Sequence, residues 1–116
     1  MKRLVTLLVV VVIAALSASP VAAAIVFDAR SVMNGSGASF TLPHTVGVGN
    51  DRILIVGVST FNSNKLVTAM TYAGQPMTRI GFLDGGTGSN DRRMEMWRLV
   101  NPPMGTIRLW ASASAC

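Results

Sequence analysis

Apolar and polar positions alternate along the chain in short runs that follow residue 24. The runs cover residues 25–30, 39–42, 52–60, 66–72, 77–83, 92–100 and 106–112, and segments rich in glycine, asparagine, serine and proline separate them. Short runs at this spacing are typical of an all-β sandwich or barrel. No window sustains the i, i+3, i+4, i+7 pattern of an amphipathic helix. The pattern therefore predicts an all-β fold, namely an antiparallel β-sandwich of the jelly-roll or immunoglobulin-like kind.

Three of these runs also predict how their strands are arranged. The run 52–60, RILIVGVST, is apolar on both of its alternating faces, which predicts a central strand covered on two sides. Residues 66–81 predict a hairpin whose loop contains Ala73, Gly74 and Gln75, with a positive φ at Gly74.

The segment MEMWRLVNPPMGTIRLW, residues 94–110, predicts a second hairpin with the four-residue loop NPPM. In this register Trp97 lies opposite Arg108 and Glu95 lies opposite Trp110. All four side chains share one face, because side chains alternate with period two. A loop longer by one residue would instead place Arg98 opposite Arg108, a destabilising like-charge pair.

The two faces of this hairpin have different expected roles. The core face is expected to be apolar and to carry Met94, Met96, Val100, Ile107 and Leu109. Arg98 is the one charged residue that interrupts it. The other face is expected to lie outward or beneath a neighbouring loop. Exposed tryptophan beside hydrogen-bonding groups suits a sugar or protein contact, whereas a stack of tryptophan on arginine would serve stability alone. The candidate ligand-binding residues are Glu95, Trp97, Arg108 and Trp110.

The N-terminus has the pattern of a secretory signal peptide. Two basic residues precede the apolar run 4–16, and small residues then allow cleavage after Ala23 or Ala24, of which Ala24 is the preferred site. The apolar run is short for a bilayer span and Pro20 interrupts it, so an uncleaved anchor is the less favoured alternative. Residues 1–24 are thus predicted to be removed, and residues 25–116 to form one domain that is secreted and touches the membrane only through the export signal.

The charge distribution and the cysteine content argue against a nucleic-acid partner and against an internal disulfide. The formal net charge is +5, but the basic residues after the signal peptide are scattered and only Arg92 and Arg93 are adjacent. Because a basic stripe is missing, nucleic acid is not an expected partner. Cys116 is the single cysteine, so no internal disulfide forms. Its position is compatible with pairing between chains or with a chain that stops within a module.

The blocks HTVG, RILIVGVS, TYAG, EMWRL and NPPMGT occur in this order at residues 44–47, 52–59, 71–74, 95–99 and 101–106. This order resembles a β-sandwich module of bacterial secreted and cell-surface proteins. The resemblance spans roughly residues 25–111, and Arg98 stands where the module commonly has an aromatic residue. It implies no known activity or catalytic residue. It also implies that the module's last strands are missing, which would leave the edge 105–112 unpaired and promote self-association.

Catalytic chemistry has little support in the composition. His44 is the single histidine, and no GxSxG motif provides a nucleophile elbow for a serine–histidine–acid arrangement. The five acidic residues could supply the pair of carboxylates that glycoside hydrolysis needs. A domain of this size, however, has little room for the substrate cleft. The protein is predicted to be a non-enzyme without a cofactor.

One segment offers metal ligands. The stretch DGGTGSND, residues 84–91, contains Asp84, Asn90 and Asp91, whose oxygens are of the hard type that calcium prefers. It lacks the spacing and the closing glutamate of an EF-hand, so a mobile hairpin loop is the alternative.

These observations lead to two candidate functions. The first is an exported, non-catalytic β-sandwich module with a structural or adhesive role at or beyond the bacterial cell surface. The alternative is a small carbohydrate-binding module that uses an aromatic face. Polysaccharides and other surface proteins are the corresponding partners.

Overall fold

The structure, a computed structural model, describes residues 24–61 and 65–113. The predicted signal peptide, apart from Ala24, and Cys116 lie outside these residues. The described chain forms antiparallel strands and one short 3-10 turn, Gly88–Asn90. The strands are β1 (Ser39–Val46), β2 (Ile53–Phe61), β3 (Val67–Tyr72), β4 (Gln75–Pro76), β5 (Thr78–Gly85), β6 (Arg92–Val100) and β7 (Gly105–Ala113). The prediction of an all-β fold is confirmed.

The strands form two sheets. Sheet A has the order β1-β7-β3-β4, and sheet B has the order β2-β6-β5. Both sheets contribute to one hydrophobic core, which contains Val46, Leu54, Val67, Met70, Tyr72, Met77, Trp97, Leu109 and Ala111. Two antiparallel sheets with a shared core fit a β-sandwich. No helix within the described residues has the length and apolar character needed to cross a bilayer.

Three strand predictions are wrong. Residues 25–30 form no strand, and β2 is an edge strand of sheet B rather than a central one. Strand β7 is not an edge, because β1 and β3 pair with its two sides. The double apolar pattern of β2 arises because the solvent-facing side of sheet B is itself apolar, with Ile53 and Ile55 about half exposed.

The predicted hairpin at residues 66–81 forms only near its turn, where β3 pairs with the two-residue strand β4. Ala73 and Gly74 form a two-residue turn between Tyr72 and Gln75, with positive φ angles of 53° and 73°. Positive φ at both central residues is the geometry of a type I′ turn. The chain then leaves sheet A at the buried Met77, whose N–H still donates to Met70 O at 2.8 Å, and continues as β5 in sheet B.

The prediction of a hairpin at residues 94–110 is wrong. Residues 101–104 carry the chain from β6 in sheet B to β7 in sheet A, so these two strands do not pair. Pro102 is fully buried in this connection. Arg52 holds it from the side: its Nε donates to Pro102 O at 3.2 Å, and its carbonyl accepts from Asn101 N at 2.7 Å. A loop of this length can join strands within one sheet or between two, and here it joins the two sheets.

A turn before β6 gives a prediction with a neighbouring control. Gly86 has a φ of +88°, and a Cβ there would overlap the carbonyl oxygen of Asn90, whereas a Cβ on Gly85 would meet nothing within 4 Å. Gly86→Ala is therefore expected to lower the free energy of unfolding by about 1–3 kcal/mol. Gly85→Ala is expected to change it by less than about 0.5 kcal/mol. Urea denaturation of both variants measures the difference, and equal effects would contradict this turn geometry.

Candidate functional site

The four predicted ligand-binding residues lie on two different surfaces. On β6, Glu95 and Trp97 point into the core with 4% and 7% of their surface exposed. On β7, Leu109 and Ala111 point inward, so Arg108 and Trp110 face solvent, and Trp110 is 40% exposed. The expected outward face is therefore correct for β7 and inverted for β6. The predicted pairs Trp97–Arg108 and Glu95–Trp110 do not exist.

Glu95 is the centre of a buried polar cluster. Its Oε1 accepts hydrogen bonds from Arg93 Nε at 2.8 Å and from the N–H of Val67 at 3.0 Å, and its Oε2 accepts one from Trp97 Nε1 at 3.2 Å. Residues 93, 95 and 97 share the inner face of β6 because side chains alternate. Val67 belongs to sheet A, where β3 has a bulge between Val67 and Ala69. The carboxylate therefore links the two sheets through the core.

The cluster continues toward the edge strand β5. Arg93 Nη1 lies 2.8 and 3.1 Å from the two carboxylate oxygens of Asp84, and Arg79 Nη1 lies 3.6 Å from Glu95 Oε2. The guanidinium of Arg93 also stacks on Phe82, 3.9 Å from the ring centroid. We call these residues the Glu95 cluster: Arg79, Phe82, Asp84, Arg93, Glu95 and Trp97. A buried charge is costly unless it is paired and hydrogen-bonded, and here both conditions hold.

The neighbouring arginines and hydrogen-bond donors keep the Glu95 carboxyl ionised. Burial raises the pKa of the Glu95 carboxyl, but the hydrogen bonds from Arg93 and the Val67 N–H, with the charges of Arg93 and Arg79, outweigh burial. The pKa of Glu95 is therefore lower than its ordinary value. A carboxylate that is held ionised by several donors is suited to structural pairing rather than to proton transfer.

The predicted calcium ligands surround a tight turn. Both carboxylate oxygens of Asp84 face the guanidinium of Arg93, while the 3-10 turn ends at Asn90 and the N–H of Asp91 donates to Gly88 O at 3.2 Å. Within the two described stretches, no three His, Cys, Asp or Glu side chains come together in a group that could hold a metal ion. The arginine at Asp84 occupies the direction in which a cation would bind, and calcium at Asp84, Asn90 and Asp91 stays a prediction.

His44 joins the segment before β1 to that strand. Its Nδ1 lies 2.9 Å from Ser31 Oγ, and its carbonyl accepts a hydrogen bond from Tyr72 Oη at 3.2 Å. The carboxylate of Asp28 accepts from the N–H of Gly47 at 2.6 Å, three residues beyond His44. The hydrogen-bond partner of His44 Nδ1 is thus Ser31, in the place where a catalytic triad has a carboxylate. These side-chain bonds hold the segment along the edge of β1.

The outer face of sheet A is polar and contains Trp110. Thr41 on β1 and Thr71 on β3 lie directly opposite Trp110 on its two sides. Hydroxyl side chains continue along the face, where Thr45 pairs with Thr106 at 2.8 Å and Thr68 pairs with Ser112 at 2.9 Å. Arg108 lies on the same face, opposite Pro43. This surface offers one large aromatic side chain among hydrogen-bonding groups.

The outer face of sheet B is apolar, which the sequence interpretation missed. Its exposed side chains, each 47–69% exposed, are Ile53, Ile55, Phe61, Leu83, Met94, Met96 and Val100. Arg92, stacked 3.8 Å from the ring centroid of Phe61, and Arg98 are the charged residues that β6 adds to it. Opposite-charge residues at i and i+2, as in Arg93 and Glu95, were the available signal that the other face of β6 could be buried.

Comparisons with protein families, with curated proteins and with solved structures found no match. The fold and these surfaces define the molecule as an all-β protein of two antiparallel sheets, with one polar and one apolar outer face.

Proposed function

We propose that residues 25–116 form an exported, non-catalytic β-sandwich module, of the jelly-roll or immunoglobulin-like kind, with a structural or adhesive role at the bacterial cell surface or outside the cell. The predicted signal peptide supports export. The observation that carries the adhesive role is the apolar outer face of sheet B. An antiparallel sheet that covers a core with one face usually presents polar residues to water on the other.

The composition of this apolar face indicates the kind of partner. Contiguous exposed apolar patches mark interaction sites on soluble proteins. The charged residues of the face are basic, and the residues in register with them are uncharged: Phe61 and Gly85 flank Arg92, and Ile55 and Thr78 flank Arg98. The complementary partner is another surface protein that presents apolar side chains with acidic residues among them. A second copy would bring the same arginines to the interface.

Adding charge to the apolar face tests this role. We expect the double substitution Met94→Glu and Met96→Glu to leave the fold intact, because both side chains are about half exposed. Burial of two carboxylates in an interface is costly, so we expect the apparent affinity of the tagged, exported protein for the cell surface to fall about tenfold, equivalent to ~1.4 kcal/mol. The double variant Ser39→Glu and Gln75→Glu adds the same charge at exposed sites of sheet A. Equal retention of both variants at the cell surface would contradict the proposal.

Carbohydrate binding is the second candidate function, and the polar outer face of sheet A favours it. Trp110 is accessible there between two threonines, whereas Glu95 and Trp97 are buried and take no part. Affinity gel electrophoresis with neutral and acidic polysaccharides tests this candidate. We expect retardation that Trp110→Ala abolishes and that Phe61→Ala, a matched exposed aromatic on sheet B, leaves unchanged. Unretarded migration in every polysaccharide would contradict it.

A further inference from the structure

We propose that the outer face of sheet A binds an acidic polysaccharide, in which a carboxylate-bearing sugar lies next to the sugar stacked on Trp110. This inference rests on the carbohydrate-binding candidate function and specifies its ligand class. Its basis is the arrangement of Thr41, Trp110 and Thr71 across three strands, with Arg108 beside them.

Trp110 provides the stacking surface for one sugar ring. Its indole is 40% exposed at the centre of sheet A, and the apolar C–H face of a pyranose packs on such a ring because tryptophan combines a large apolar area with a polar N–H. Thr41 and Thr71 are the cross-strand partners of Trp110, and neighbouring strands are about 4.8 Å apart, so one threonine lies on each side of Trp110 on the same face. Each hydroxyl can donate and accept, as sugar hydroxyls require.

Arg108 provides the contact to a negative charge. It lies two residues before Trp110 on the same face of β7, a distance of about 7 Å along the strand, which is suited to the adjacent sugar. Its partner on β1 is Pro43, which has no side-chain donor or acceptor, and the β3 ladder ends at Leu109. The guanidinium therefore remains accessible at the surface. Arginine binds a carboxylate through two parallel hydrogen bonds.

The charge of the β1 and β7 part of the face agrees with an anionic ligand. Among the outward positions of β1 and β7, Arg108 is charged and all the remaining side chains are uncharged. These uncharged residues are Ser39, Thr41, Pro43, Thr45, Thr106, Trp110 and Ser112. A neutral glycan would offer this guanidinium hydrogen bonds but no opposite charge. A nucleic acid strand would require several basic residues along the face rather than one.

Polygalacturonate and its fully methyl-esterified form give matched ligands that differ in the carboxylate. We expect calorimetry to show about tenfold tighter binding of the free acid, with the difference decreasing as salt is added. Arg108→Gln should remove the difference, and Trp110→Ala should abolish binding of both forms. Arg98→Gln, on the outer face of sheet B, is the control and should change neither.

The outcomes separate the ligand class from the function. Equal, Trp110-dependent binding of the two forms would overturn the acidic class and leave carbohydrate binding in place. Lack of binding to both forms would overturn the inference, and lack of binding to any polysaccharide in the wider panel would overturn the candidate function as well. Tighter binding of single-stranded DNA than of polygalacturonate would overturn the inference in favour of a nucleic-acid ligand.

Discussion

Glu95→Gln is expected to lower the free energy of unfolding by about 3–5 kcal/mol. The substitution keeps the size of the side chain and removes the charge that pairs with a buried guanidinium at 2.8 Å. It also places an amide NH₂ near donors that previously faced carboxylate oxygens. Small domains are stable by about 5–15 kcal/mol, so the variant should be marginally folded. Urea denaturation followed by fluorescence measures the loss, and Asp51→Asn, at an exposed carboxylate, is the control.

The pH dependence of stability provides a second readout of the same residue. Because the folded-state pKa of Glu95 is lower than its ordinary value of 4.5, the unfolded chain binds this proton more tightly than the folded chain. Its contribution to stability is present above pH 4.5 and is lost as the pH falls through the lower, folded-state pKa. The wild-type protein should lose stability over this acid range by more than Glu95→Gln. Parallel pH profiles for the two proteins would contradict the role of the cluster.

The two tryptophans should respond very differently to removal. Trp97→Ala leaves a cavity in the core and is expected to cost about 3–5 kcal/mol of unfolding free energy. Trp110→Ala removes a side chain that is 40% exposed on sheet A and should cost less than about 1 kcal/mol. Thermal and urea denaturation of the two variants measure these values. Similar losses for both would contradict their placement on opposite sides of their sheets.

The sequence predicted most strands because alternation and turn residues are local signals. Runs 52–60, 66–72, 92–100 and 106–112 correspond closely to β2, β3, β6 and β7. The apolar run 25–30 has the same local pattern, yet none of the strands described in the structure pairs with it, and side-chain bonds such as Asp28 to Gly47 hold this segment instead. Strand formation depends on a partner, which local pattern does not specify.

Which face of β6 lies in the core could not be predicted from local pattern. Period two shows that Met94, Met96 and Val100 share one face and that Arg93, Glu95 and Trp97 share the other, but it does not show which face is inside. The more apolar face was expected in the core. The opposite face is buried, and there Arg93 pairs with Asp84 on the neighbouring strand β5 while Glu95 binds the N–H of Val67, which lies 28 residues earlier in the other sheet. Fully satisfied polar networks are compatible with a core, but their partners are not local.

The candidate site was only partly accessible to sequence reasoning. Arg108 and Trp110 face solvent on β7 as the alternation of that strand predicted. Their neighbours Thr41 and Thr71 come from strands that lie about 69 and 39 positions earlier in the chain, so only the pairing of β1 and β3 with β7 reveals them. The apolar face of sheet B likewise requires the knowledge that β2, β5 and β6 are neighbours.

The separation of β6 and β7 into different sheets is the central structural claim, and interstrand nuclear Overhauser effects test it most directly. In an isotopically labelled protein, we expect backbone contacts from Trp97 to Val56 and from Trp110 to Thr41 and Thr71. Backbone contacts between Trp97 and Arg108, as in a hairpin closed by the NPPM loop, would contradict the account.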